Sequence, residues 1–451
     1  MTVIGRGALD TRVERLAAAL CAARPRPRVL GVLADNGAGW AAIDLAAQKA
    51  GVVLVPLPGF FTIGQCAHAV CATGMDSLFS DAAPVARMLG FDPAGDLEGL
   101  SWYRRAGQAV ALPPKVSKIT FTSGTTGTPK GVQLSAAQQW EVARSLADAT
   151  RALEIRRHLC LLPLPVLLEN VAGVYAAQLA GADCCLPPLA ETGVGGAARF
   201  DPLGCLAAIA RWEPHSLILL PQMLLALAAA LENGAPAPRS LKLVAVGGAK
   251  VSLALVARAR ALGLPAYEGY GLSECASVVA LNLPGAERAG SVGRPLPHAE
   301  VKVNEGEIQV RNPDAAWLAT GDLGRLDDDG FLYIEGRRKH VLITSYGRNV
   351  SPEWPEAELL AGGAIAQAAV FGEARPQLCA LVVPAECGAA DAAIDAQVRA
   401  ANARLPDYAR IGRWLRADAP FTPQNGLATA NGRPRRDALW KTYGARLDAI
   451  L

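Results

Sequence analysis

The sequence predicts an α/β protein. It should have a large N-terminal domain of α/β subdomains with a small β-barrel-like subdomain, followed by a small α+β domain. Three observations lead there. Apolar strands and helical stretches alternate up to about residue 262, the βαβ rhythm of buried parallel strands. From about residue 291 the texture changes to short strands and tight turns. From about residue 339 a second, smaller α/β pattern begins. A chain of 451 residues is too long for one core, and about two or three folding units are expected from its length.

The elements follow in order. Residues 12–23 have helical periodicity, and 29–33 form a short apolar strand that ends at Ala34-Asp35-Asn36-Gly37. Residues 40–50 read as a helix and 52–56 as the next strand. A second copy of the rhythm runs through helix 138–153, strand 158–162, helix 170–179 and strand 184–187. Helix 202–212, strand 216–220, helix 223–232, strand 242–246 and helix 253–262 continue it. The later short strands are 301–303, 306–310, 324–326 and 331–334, with Asp327-Asp328-Asp329-Gly330 as the hairpin turn between the last two. The last region shows strands 366–371 and 378–384 and a helix over 389–404.

Composition narrows the function classes. Half of the residues are hydrophobic, enough for a sizeable core, yet no uninterrupted apolar run reaches the about 20 residues a membrane helix needs. The first residues lack the basic start and apolar stretch of a secretion signal, so a cytoplasmic location is expected. A net charge of +3 gives no electrostatic case for nucleic acid as the main partner. The ten cysteines include no CxxC pair and no metal-ligand spacing with the five histidines. Buried thiols in a reducing compartment are the expectation, not a zinc centre.

One stretch carries chemistry on its face. A short strand, Ile119-Thr120-Phe121, runs into Thr122-Ser123-Gly124-Thr125-Thr126-Gly127-Thr128-Pro129-Lys130-Gly131. The glycines let the backbone curl close to a ligand. Hydroxyls and free amides can surround phosphate oxygens, and Lys130 adds a positive charge. It is not a Walker loop, because Pro129 stands where the second glycine of GxxxxGK[ST] belongs.

This stretch resembles the phosphate-binding signature of the adenylate-forming superfamily, which includes acyl-CoA synthetases, adenylation domains and luciferases. Further motifs in the same order extend the resemblance over nearly the whole chain. Gly247-Gly248-Ala249, at the end of a predicted strand, is similar to the segment that lies against adenine in the family. Glu268-Gly269-Tyr270-Gly271-Leu272-Ser273-Glu274 resembles the family's YGxTE motif, with Ser273 in place of threonine. The resemblance implies that Tyr270 stacks on adenine, Ser273 contacts phosphate and Glu274 holds Mg²⁺, a hard ion that takes oxygen ligands. Thr320-Gly321-Asp322 resembles the TGD motif, whose carboxylate, here Asp322, can accept both ribose hydroxyls. Gly336-Arg337-Arg338-Lys339 matches the end of the large domain, with Arg337 toward ribose or phosphate and Lys339 at the hinge between two domain orientations. Gly347 falls in a loop similar to the one that lines the family's thiol tunnel. The implied domains are 1–336, a hinge at 337–340 and a C-terminal lid over 341–451.

The resemblance implies ATP-dependent activation of a carboxylic acid, with Mg²⁺, followed by transfer of the acyl group to the thiol of CoA or of a carrier protein's phosphopantetheine. Three departures from the family pattern bear on this. The lysine of an NGK-like motif is replaced by Arg433, which keeps the charge on a wider, planar group. The histidine of the acid-pocket motif is replaced by Val166, giving a smaller apolar gate beside Leu167 and Val174 and favouring a hydrophobic acid. The segment between residues 310 and 318 is short. Lys130, Glu274 and Arg433 are the expected catalytic residues. A chain that binds nucleotide or acyl-AMP without turnover is the alternative of a different class.

Overall fold

The computed structural model describes residues 3–107, 110–122, 129–195, 199–312, 316–386, 388–429 and 432–450. It divides into two compact units. The first is Met1–Ile218, Pro238–Val244 and Gly271–Val279; the second is Leu219–Ala237, Ala245–Tyr270 and Ala280–Leu451.

The first unit carries a seven-stranded sheet in the order Asp92–Leu97, Leu100–Arg104, Ser77–Ser80, Val29–Leu33, Val53–Pro56, Val116–Thr122, Lys130–Ser135. Its centre is parallel, with Val29–Leu33 between Val53–Pro56 and Ser77–Ser80. All five residues of Val29–Leu33 are buried, as a strand covered on both faces requires. The two edges turn antiparallel through the hairpins Asp92–Leu97/Leu100–Arg104 and Val116–Thr122/Lys130–Ser135. Helix Ala38–Lys49 is buried over most of its length, including the charged Asp44. Helices Ile63–Thr73 and Ala136–Ala149 start with capping boxes, Thr62 with Gln65 and Ser135 with Gln138, which satisfy amides at the helix start.

A second group of strands in this unit pairs Asp183–Cys185 in parallel with Arg157–Leu159, and Ser216 and Leu217 in parallel with His158 and Leu159. The sequence predicts a plain helix over 170–179. The structure has instead a π-helix, Leu168–Tyr175, continued by the α-helix Ala176–Ala180. The apolar spacing of this stretch does not distinguish the two; buried polar contacts described below do.

The second unit contains the four-stranded antiparallel meander Glu300–Asn304, Glu307–Arg311, Leu318–Leu326, Leu332–Arg337. Its last turn is held by the Asp327 carboxylate, which accepts from the amides of Asp329 and Phe331, while Gly330 takes φ +80°. The C-terminal part builds on the sheet Ile365–Phe371, Leu378–Pro384, Ile411–Arg416. The middle strand explains its unbroken apolar run. Leu378, Ala380 and Val382 feed a core with helix Asp391–Asn402, whereas Cys379, Leu381 and Val383 feed a second core with helix Arg436–Asp448. Alternate side chains of one strand thus serve two layers.

Among the described residues no helix is long and apolar enough to cross a membrane. The described cysteines are free, and only Cys21 and Cys71 are exposed. Burial pushes thiols such as Cys184 up to about 12.

Candidate active site

In the second unit, residues from three separate motifs meet on the meander. The pairing of Leu318–Leu326 with Leu332–Arg337 sets Asp322 opposite Arg337. Arg337 Nε lies 2.6 Å from Asp322 Oδ1, and the Tyr270 hydroxyl donates to Oδ2 at 2.7 Å. Asp322 is 4% exposed, so both of its oxygens are spent on named partners rather than on bulk water. Burial raises its pKa, while Arg337, Tyr270 and Arg433 oppose the rise. Burial, with Asp322 adding to it, also raises Tyr270, keeping the phenol a donor.

The local sequence builds this corner. Thr320 Oγ1 donates to Ile308 O at 2.7 Å and accepts from Asp322 N at 3.0 Å. Gly321 takes φ +73°, a left-handed conformation that costs glycine little, and its amide donates to Glu307 Oε1 at 2.8 Å. The Thr-Gly-Asp order is therefore a hydroxyl brace, a turn and a fixed carboxylate.

Glu268 is two residues before Tyr270 on an extended strand and is buried. Burial pushes its carboxyl up to about 7 against the charge of Arg260, and Asn282 Nδ2 lies 3.4 Å from Oε2. Gly269 passes close to the neighbouring strand Ser277–Leu281, where a Cβ would sit 3.2 Å from Leu281 Cδ1. Gly247 donates to Leu219 O at 3.2 Å, Gly248 has φ +83°, and Ala249 is exposed.

Arg433 stands at a tight turn: Thr429 N donates to Arg433 O at 2.8 Å and Arg433 N donates to Thr429 Oγ1 at 3.1 Å. Its Nη2 donates to Gly248 O, joining two of the motif segments. The residue keeps open surface, but its head group is crowded. Burial and then the charge of Arg337 lower its pKa, with Asp322 and Glu353 opposing.

Lys339 is exposed in the short turn Arg338–His340. Beside it is a histidine–carboxylate contact that no sequence motif marks. His340 Nδ1 lies 2.5 Å from Glu353 Oε1, and Ser351 Oγ donates to Oε2 at 2.7 Å. Burial alone would raise Glu353, but His340, Arg436 and Ser351 bring it down to about 2. Gly347 has φ +69° at the exposed tip between Leu342–Ile343 and Asn349–Val350.

In the first unit, Thr122 pairs with Lys130 across the hairpin, and Lys130 is exposed. Ser123, Gly124, Thr125, Thr126 and Gly127, with the Thr122 side chain, lie outside the described residues. The strand Lys130–Ser135 runs beside the turn Ser273–Cys275, which presents an exposed Glu274. Directly after it, Ala276 and Ser277 hold φ of +57° and +107°, strain of the kind that gathers at functional turns. Gly271 has no room for a side chain, since a Cβ would be driven into Ser277 O.

The 162–174 segment is anchored by Asn36, which donates to Leu162 O at 2.9 Å and accepts from Leu164 N at 2.8 Å. Val166 is half-buried, while Leu167 and Val174 are buried. Behind them, His158 Nε2 lies 2.9 Å from Glu169 Oε1, and Leu162 N donates to Oε2 at 2.8 Å. His158, Cys160 and Glu169 bring ligating atoms within 4.8 Å of one another. Sequence spacing did not show this group, because the strand Arg157–Leu159, the residue just past it and the π-helix supply its members.

Comparison with known proteins gives consistent results. A family model described as AMP-binding enzyme matches residues 6–316, and one described as AMP-binding enzyme C-terminal domain matches 339–451. A 2-succinylbenzoate–CoA ligase of Bacillus subtilis is 31% identical over 283 residues, 56% of this chain and 55% of that protein. The chain spans little more than half the length of this relative. An indoleacetate–CoA ligase of Aromatoleum aromaticum is 28% identical over 456 residues, 87% of this chain and 86% of that one. The fold is shared with the solved structure of an anthranilate CoA ligase in complex with anthranoyl-AMP, at TM-score 0.79 and 20% identity, covering 99% of this chain and 93% of that chain.

Proposed function

The chain belongs to the AMP-binding enzyme family, and from that premise we propose that it activates a hydrophobic carboxylic acid with ATP and passes the acyl group to CoA. The observation that carries this reading is the corner formed by Tyr270, Asp322 and Arg337, with Arg433 turned onto Gly248.

In the first step a carboxylate oxygen of the acid attacks the α-phosphorus of ATP. The bond to the β,γ-bridged pyrophosphate breaks, giving acyl-AMP and pyrophosphate. In the second step the thiolate of CoA attacks the acyl carbon, and AMP leaves with the bonding pair. No protein nucleophile is needed, so the side chains work by position and charge. Asp322 receives the ribose hydroxyls, Tyr270 faces the adenine and Arg337 lies toward ribose or phosphate. Gly247, Gly248 and Ala249 border the base. Ser273, Lys130 and the 122–127 loop take the phosphates. Arg433 sets its positive charge beside the reacting carboxylate and α-phosphate.

The exposed oxygens of Glu274, on a turn next to the Lys130 strand, suit a hard cation. Mg²⁺ held there with ATP would supply charge against the phosphates. The acid enters beside Val166, Leu167 and Val174, whose apolar surfaces offer no counter-charge for a polar tail. The lid over 341–451 turns about Lys339 between the two steps, and Gly347 then lets the thiol arm pass close to the backbone. A carrier protein's phosphopantetheine could replace CoA as acceptor.

The test is acid-dependent pyrophosphate release across a panel of alkyl and aryl acids, followed by product assay with CoA and with a carrier protein. Release above the acid-free rate and formation of acyl-CoA are expected. No release with any acid would overturn the reading, and transfer to the carrier alone would replace CoA as the acceptor.

A further inference from the structure

The first unit contains a buried ion pair that none of the motifs uses. Lys118 and Asp44 are both fully buried, with Nζ 2.9 Å from Oδ1. Such pairs add little stability, because desolvation consumes most of the attraction; their best-attested use is to select one register over another. Here the pair engages the two ends of one turn. Lys118 Nζ donates to Asn170 Oδ1 and, at 3.0 Å, to the Tyr175 hydroxyl. Asp44 Oδ2 accepts from Asn170 Nδ2 at 2.7 Å and from Tyr175 at 2.9 Å.

Asn170 and Tyr175 are five residues apart. In an α-helix they would point about 140° away from each other. In a π-helix, whose hydrogen bonds run from i to i+5, they come to one side. Only the π register lets both reach the same ion pair. In the α register one of them would swing off and leave a buried charge short of a partner, a costly state. The neighbouring contacts agree. Trp140 stacks on the Tyr175 ring at 4.6 Å, and Glu169 turns the other way to His158. At Gly173 a Cβ would be driven into Glu169 Oε1 and lie 2.9 Å from His158 Nε2, so a glycine leaves room for that contact.

We infer that the Asp44–Lys118 pair holds Leu168–Tyr175 in the π register and so fixes the shape of the acid pocket, making Lys118 a positioning residue for acid selectivity. The inference rests on the proposed function for its consequence, because the π-helix follows directly on Val166 and Leu167 and carries Val174. A change of register would rotate Val174 relative to the other two.

The test uses Asn170→Leu and the charge-free pair Asp44→Asn with Lys118→Met, the latter avoiding a lone buried charge. Wild type and variants are compared for kcat/KM over the acid panel, for the ATP KM and for thermal melting. Relative preference among acids should shift about tenfold, with the ATP KM unchanged. A merely structural role would lower all acids together, and that result, in variants that melt cooperatively, overturns the inference. The register is also read without activity. A crystal structure of the charge-free variant with the π-turn intact overturns the inference, and an α-turn there supports it. Lack of any wild-type turnover would count against the functional reading and leave that structural readout decisive.

Discussion

Replacing Arg433 by alanine tests the residue proposed to set its charge beside the reacting carboxylate and α-phosphate. The side chain donates a charged hydrogen bond from Nη2 to Gly248 O, and its head group lies among the charges of Arg337, Asp322 and Glu353. In the proposed role that charge turns to the carboxylate and α-phosphate of the transition state, where a charged hydrogen bond contributes about 1.5–3 kcal/mol. At about 1.4 kcal/mol per decade this is about 10- to 150-fold in rate. Because the residue keeps open surface, solvent screening favours the lower part, about 10- to 50-fold. The expectation for Arg433→Ala is that loss in acid-dependent pyrophosphate release, with attack of CoA on supplied acyl-AMP within about threefold of wild type. Arg433→Lys keeps the charge without the planar fork and should fall between the two. Equal loss of both half-reactions would refute the assignment, because it would show Arg433 to be holding the fold or both states alike. A change of less than about threefold in pyrophosphate release would refute it too.

Asp322→Asn removes the charged partner of Arg337 and should raise the ATP KM about tenfold or more, measured by initial rates at saturating acid. Glu268 has a folded pKa of about 7, above its unfolded value. Its contribution to stability is therefore full below the unfolded pKa and lost as pH rises through 7. Melting temperature should fall from pH 5 to pH 8 by the equivalent of up to about 3 kcal/mol, and Glu268→Gln should flatten that slope; parallel curves would contradict the burial argument. Gly271→Ala forces a Cβ into the backbone oxygen of Ser277, which cannot move aside cheaply. It should cost about 3 kcal/mol in denaturant unfolding, whereas Gly347→Ala, with open space around it, should cost about 1 kcal/mol for its positive φ.

Much of the fold is legible where one physical signal dominates. Helix Pro202–Trp212 begins at an Asp-Pro start signal, and the strand Leu378–Pro384 is a pure apolar run; both match their expected bounds. The hairpin Asp92–Leu97/Leu100–Arg104 was not expected, since Asp, Pro, Ala and Gly give no alternation and its first strand is exposed. Helix Arg436–Asp448 also escaped, because its apolar positions form no clear stripe and are chosen by the core they meet. For the candidate site, local motifs mark Tyr270, Asp322 and Arg337, and the structure brings these three together. What the motifs lack is their buried support. Lys118 in a strand and Asp44 within an apolar helix are visible as lone charges in hydrophobic company. A charge in such a position demands a partner, but only the folded chain says which one, and that the answer reshapes a helix.

The Asp322 corner has a consequence for the energetics of binding. A carboxylate offers about four acceptor positions, and Arg337 and Tyr270 use two of them. On the proposed function, a ribose diol at Asp322 takes the remaining positions and leaves Arg337 and Tyr270 in place. Association then breaks no internal bond, and the carboxylate is already stripped of bulk water and fixed in direction. The desolvation of that charge is settled during folding, once, instead of at every encounter with a ligand.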